Sequence, residues 1–333
     1  MLSTSGYRLF ILVLLLLIGL SAVVALDSGA ADISLVQAIL DWLKGESSLA
    51  STVLTQIRFP RFCLAIIVGA SLAIAGASMQ MVLRNPLADP GILGVTSGAA
   101  LGAVSVLYFG FAAAAWYYLP VAAIMGALIS LCCVYVLAGL QASILALVLS
   151  GVAISSIAAA LIAVALNFAP SFYAMQEIVF WLMGSLNNRH MDHLWIALPF
   201  CILGWICIFT RSRFLNALSL GEATAQSLGF HLQTERIILF FGVALSVGAC
   251  VAVSGSIGFI GLIVPHILRP LVGYQPLRLL LASALTGALL LLWADVLVRH
   301  LDMARELKLG VVTSLLGAPF FLMLMIKSRS KWV

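Results

Sequence analysis

Long apolar runs, separated by short links rich in polar residues, proline or glycine, dominate the pattern of this chain. In lipid a helix must satisfy its own backbone hydrogen bonds, so runs of about 20 apolar residues are read as membrane-spanning helices. Ten emerge: 8–26, 61–83, 91–109, 114–138, 143–167, 193–210, 234–254, 258–268, 278–298 and 309–327. The first holds "FILVLLLLIGLSAVVAL" (10–26), preceded by Arg8. Its uninterrupted length exceeds the roughly 7 to 15 residues of a secretion-signal core, so it is predicted to remain as the first span. The eighth run is short, and Pro265 within it should kink the helix or free a carbonyl. Small residues in "GASLAIAGASM" (69–79), "GAALG" (98–102) and "GSIGFIG" (255–261) mark seams where helices can approach closely.

Composition sharpens this into an all-α integral membrane protein. Of 333 residues, 63% are hydrophobic and only 9% charged, against about 25% charged in soluble domains. One transmembrane domain over 1–333 is expected. The net charge of +5 comes from single basic residues scattered among apolar runs, so it forms no stripe for nucleic acid. The six cysteines lie in apolar runs without metal-binding spacing and read as small buried hydrophobes.

Charge also orients the chain. With the N-terminus inside, the cytoplasmic side holds ten Lys and Arg: Arg8, Arg84, Arg211, Arg213, Arg236, Arg269, Arg278, Lys327, Arg329 and Lys331. The outside holds seven, namely Lys44, Arg58, Arg61, Arg189, Arg299, Arg305 and Lys308. Three acidic residues fall inside and nine outside. Excess Lys and Arg mark the cytoplasmic side, so both termini are predicted to be cytoplasmic.

The links offer little chemistry. There is no phosphate loop of the G-x-x-x-x-G-K-[ST] type, no H-E-x-x-H and no G-x-S-x-G. No catalytic residue, metal site or cofactor is assigned to this chain, so an energy source must be an ion gradient or another subunit. An ion-coupled carrier would bury ionisable groups near the midplane. Asp295 in "LLWADVLVRH" (291–300) is the one clear charge in a span, and Arg299, one turn on, is its expected structural partner. "HMDH" (190–193) and Glu177 are read as solvated outer-loop residues. "RNPLADPG" (84–91) should form a tight cytoplasmic link. Segment 211–233 is the longest cytoplasmic excursion.

Seven stretches together resemble the FecCD family, the membrane subunits of bacterial ATP-binding-cassette importers for ferric siderophores, haem and cobalamin. They are "IRFPRFCLAIIVGASLAIAG" (57–76), "MQMVLRNPLADPGILGVTSGAALGA" (79–103), "LALVLSGVAI" (145–154), "FWLMGSL" (180–186), "LGEATAQSLG" (220–229), "GSIGFIGLIVPHILR" (255–269) and "ELKLGVVTSLLGAPFFLMLM" (306–325). They run in order along nearly the whole chain.

The resemblance implies a permease of type II importer architecture in the bacterial inner membrane, with ten helices and an inverted repeat of helices two to five against seven to ten. It also implies a second permease subunit, cytoplasmic ATPase subunits that carry ATP and Mg, and a periplasmic or surface substrate-binding protein. Ferric siderophore is the first expected cargo, then haem and cobalamin. Arg58, Arg61 and Arg299 match outward-facing arginines that receive acidic residues of the binding protein. Asn85, Leu87, Ser143 and Ile144 match the constrictions that close the path toward the cytoplasm. A helix pair in 215–231 is implied as the ATPase contact, with Gly221 and Gly229 as turns, Glu222 in the first turn, and Ala223, Ala225 and Leu228 as surface for the partner. The alternative is a stand-alone ion-coupled secondary transporter.

Overall fold

In the computed structural model, residues 2–29, 33–301 and 307–329 are described. Asp32, Asp302, Arg305, Glu306 and Lys331, all counted in the charge balance, lie outside them. Each predicted run corresponds to a helix: α1 (Thr4–Asp27), α4 (Phe59–Val82), α5 (Val95–Tyr108), α6 (Tyr118–Ala138), α7 (Ile144–Asn167), α9 (Met191–Thr210), α12 (Leu232–Ser254), α13 (Ile260–Val272), α14 (Pro276–His300) and α15 (Leu309–Arg329).

Among the described residues, seven helices are long and apolar enough to cross a membrane, α4 together with the turns that lead into it. The other three predicted spans, α5, α13 and α15, present shorter apolar stretches. α5 starts late because Pro90–Leu93 forms a 3₁₀ turn that ends on Gly94 at φ 73°. α13 carries both Pro265 and Pro270. Five further short helices occupy the links: α2 (Leu35–Lys44), α3 (Leu49–Val53), α8 (Phe172–Leu182), α10 (Ser212–Ser219) and α11 (Glu222–Ser227).

α4 and α12 form the centre, most of their residues being buried, whereas α1 and α7 bury few of theirs. Packing partners exchange when α4–α7 is laid over α12–α15. α4 packs on α14 and α12 on α6; α5 packs on α6 and α7, as α13 does on α14 and α15; α4 meets α13, and α12 meets α5. That exchange is what the internal repeat requires.

Glycine sets how closely these helices approach. A Cβ on Gly76 of α4 would overlap the Gly261 carbonyl of α13, and one on Gly69 would overlap the Gly287 carbonyl of α14. With no hydrophobic force between helices in lipid, such backbone contact supplies the dispersion energy of association. Gln80, buried near the end of α4, adds polar bonds to α13 by donating to the Leu262 carbonyl at 3.0 Å and accepting from Arg269 at 3.1 Å.

Side-chain contacts define the two ends of the bundle. At one end Leu2 donates to the Leu271 carbonyl at 3.0 Å, the Tyr7 hydroxyl donates to the Arg278 carbonyl at 3.2 Å, and Arg84 reaches the Leu218 carbonyl. At the other, Arg61, Asn187, Asp295 and Arg299 meet. These groupings match the two sets of links separated by the charge pattern.

Candidate functional site

At the first end, segment 211–233 folds as a helix pair. α10 buries Phe214, Leu215, Ala217 and Leu218, a spacing that puts an apolar face against α4 and α14. Leu220 ends it, 70% exposed. Gly221 then sits at φ 126°, a conformation that L side chains rarely adopt, and turns the chain into α11.

α11 closes through a C-terminal motif in which Phe230 donates to the Ala225 carbonyl at 3.1 Å and Gly229 takes φ 89°. The Phe230 ring packs 5.9 Å from that of Phe214. Ala225 is therefore fully buried within the chain, and the expectation that it offers surface to a partner is corrected. Ala223 and Leu228 do face outward, together with Leu220, which the sequence reading missed.

Two ion pairs seat this helix pair on α12. Glu222 pairs with Arg236 at 2.7 Å, and Arg211 with Glu235 at 2.9 Å. Arg236 is only 5% exposed, so its charge depends on that partner. A cleft of about 530 Å³ separates α11 from the link before α7, with Glu222, Gln226 and Arg236 on one wall and Gln141 and Ser143 on the other. A Lys or Arg one turn into an apolar run, as at Arg236, was the available sequence signal.

Both expected gate segments adjoin this pair. Arg84 adopts φ 49°, unusual outside glycine, and in that conformation its guanidinium reaches the Leu218 carbonyl of α10. The next residue, Asn85, accepts from the Leu87 amide at 2.9 Å and fixes an Asx turn. Ser143 caps α7 by accepting from the Ala146 amide at 3.2 Å, and Ile144 follows half-buried. Deeper in, Asp89 accepts from the Gly91 amide at 2.8 Å. Burial pushes its carboxyl above the ordinary range, with the Gly91 hydrogen bond pulling the other way. This loop and the 255–259 link between α12 and α13 share a cavity of about 210 Å³, lined by Asp89, Thr96, Ser97, Ser256 and Phe259 among others.

At the opposite end the three arginines come together, but they do not project outward. Arg61 donates from Nε to both oxygens of Asp295 at 3.0 Å and from Nη2 to Oδ1 at 2.8 Å, while Nη1 reaches Asn187 at 3.2 Å. Arg299 bonds the same carboxylate through Nε at 2.9 Å and the Ala25 carbonyl at 2.8 Å. Arg58, 4% exposed, donates to the carbonyls of Leu26 and Asp27, each at 2.8 Å. The last carbonyls of a helix lack partners within it and carry the negative end of its dipole. Arg58 and Arg299 thus cap α1, and the expectation of free outward guanidinium groups is corrected. The predicted Asp295–Arg299 pair is present, and Arg61 extends it.

Arg58 also closes a π-helical turn, Leu54–Arg58, that runs into α4. Pro60 has no amide to bond the Gln56 carbonyl, which is approached by the His190 ring at 3.4 Å. Of the residues read as outer loop, Asp192, His193 and Glu177 prove helical, while His190 stays extended as the N-cap of α9. Asp192 and His193 lie in the first turn of α9, where the His193 ring accepts from the His190 amide at 3.2 Å. Glu177 lies on α8 and lines an outer cleft of about 570 Å³ with Tyr173, Asn187 and Lys308.

The pattern of the FecCD transport family matches residues 11–327. A vitamin B12 import system permease protein, BtuC, of Klebsiella pneumoniae subsp. pneumoniae is 39% identical over 293 residues, covering 87% of this chain and 86% of that protein. The protein of the same description from Salmonella paratyphi A is 41% identical over 290 residues, covering 86% and 87%. Among solved structures, an inward-facing conformation of a transporter assigned to the metal-chelate ABC type superposes with a TM-score of 0.84 at 34% identity, over 96% of this chain and 99% of that one. PsaBC from Streptococcus pneumoniae, solved with a Fab, shares the fold at a TM-score of 0.57 and 18% identity, over 87% and 95% of the two chains.

Proposed function

The chain belongs to the FecCD transport family, and on that premise we propose that it carries cobalamin inward as the permease of an ATP-driven importer. It is a multi-pass membrane permease of a bacterial importer, and in such systems ATP is hydrolysed by partner subunits. Cobalamin takes precedence over the ferric siderophore expected from the sequence because the similar curated permeases import vitamin B12.

The observation that carries the mechanism is the bond from Arg84, beside one candidate gate segment, to α10, with the other gate segment facing α11 across a cleft. In this reading the ATPases seat against Leu220, Ala223 and Leu228. Their closure shifts α11, Glu222 passes the shift to α12 through Arg236, and Arg84 carries it from Leu218 to Asn85 and Leu87. Ser143, with Ile144 beside it in the chain, responds from across the cleft. Packed helices switch between discrete arrangements, so a small displacement here can open or close a path shared with a second permease subunit. The outer arginines set the rim on which the binding protein docks, by holding α1, α4 and α14 in register.

The rival, an ion-coupled carrier, needs an ionisable group able to titrate near the midplane. Asp295 does not suit that role, because it sits at the outer end between two arginines. The deciding experiment is uptake into proteoliposomes holding the permease, its ATPase and its binding protein, with labelled cobalamin, ferric siderophore and haem offered separately. ATP-dependent cobalamin uptake is expected. Uptake of another chelate alone would replace the cargo, and proton-driven uptake without the ATPase would refute the importer reading.

A further inference from the structure

α2 has its polarity reversed. In a helix packed on a protein, the apolar stripe faces inward and charges face water. Here Ala38 and the carboxylate of Asp41 are buried, the latter accepting from the Ser48 hydroxyl at 2.6 Å. Val36, Ile39, Leu40 and Leu43, spaced as one face of a helix, point away from the protein. Val36 and Leu43 are each 68% exposed. Trp42 and Leu49 extend the face.

The depth of this helix follows from its anchors. α1 has 24 residues and so spans about 36 Å, slightly more than a hydrocarbon core of about 30 Å. Its last turn therefore lies at a membrane boundary. Arg58 ties the Leu26 and Asp27 carbonyls of that turn to the π-helical segment 54–58, against which α2 packs. α2 thus sits at the level where α1 leaves the lipid, and its apolar face is exposed, as are most leucines of α1. Gln37 and Lys44, both exposed, flank this face on one side and the Trp42 indole on the other, and tryptophan favours the boundary between acyl chains and headgroups.

We propose that α2 is an interfacial anchor whose Val36–Ile39–Leu40–Leu43 face lies in the acyl region of the outer leaflet, with Trp42 at headgroup depth. Such a helix binds by its buried apolar area and needs no specific headgroup. Anchored there, it holds the segment leading into α4 at a fixed height above the bilayer.

The test uses the full permease with its seven tryptophans replaced by 5-fluorotryptophan, in nanodiscs of phosphatidylethanolamine and phosphatidylglycerol. The fluorine resonance missing from Trp42→Phe identifies Trp42. A lipid carrying a nitroxide near the top of its acyl chain should broaden that resonance several-fold more than an aqueous gadolinium chelate does. In Leu40→Asp/Leu43→Asp the preference should invert as the helix lifts into water. Broadening by gadolinium alone in the wild type would overturn the proposal. So would protection from both agents, which would place a second copy or a protein partner on the face.

Discussion

Asp295 concentrates the polar energetics of the outer end in one side chain. It is fully buried and holds Arg61 and Arg299, themselves 15% and 7% exposed at the side chain. Removing one partner from a buried ion pair typically costs about 3–5 kcal/mol, because the remaining charge stays desolvated. Asp295→Asn should lose stability of that order, seen as a lower midpoint in graded detergent unfolding; an unchanged midpoint would show that water already solvates the arginines. By the same logic, reversing the charge of Arg58 would disturb the α1–α4 junction, and reversing that of Arg61 the α4–α14 junction, before any effect on docking. Gly76 is the apolar counterpart. Gly76→Leu must push α13 away, and overpacking of about 1–3 kcal/mol or more is expected, measured as a lower thermal midpoint with Gly76→Ala between it and the parent.

At the scale of the element, α11 shows why a motif can be recognised while its faces are misassigned. Gly221, Glu222 and Gly229 act locally, as turn, first-turn acid and C-terminal turn, so their positions were readable from sequence. Ala225 was not, because which side of a six-residue helix faces inward depends on where Phe214, Phe230 and α12 lie. The Glu222–Arg236 pair yields a test specific to coupling. Glu222→Arg and Arg236→Glu should each lower the permease-dependent stimulation of ATP hydrolysis by about tenfold, because each leaves a charge facing its like where an ion pair stood. The swap Glu222→Arg/Arg236→Glu should restore much of it. No restoration, with both single variants folded and assembled, would mean that the pair does not transmit motion.

Across the whole molecule, the ten apolar runs and the grouping of links at two ends were legible, because the cost of unsatisfied backbone in lipid is paid run by run along the chain. Local chemistry likewise announced the short eighth helix through Pro265 and the tight link through Pro86 and Pro90. What stayed hidden were the helices in the links, α2 and α8 among them, since ten or eleven residues carry too little periodicity to stand out beside spans of twenty. Hidden too was the repeat, which lives in the exchange of packing partners between α4–α7 and α12–α15. The sequence by itself determined that the chain is a helical membrane protein, because composition and the length of apolar runs need no third dimension. Only the tertiary structure decided that the outer arginines turn inward, that Arg84 binds α10, and that α2 presents its leucines outward. Each depends on contacts between residues far apart in sequence, and no local propensity encodes which partner a charge or an apolar face will find.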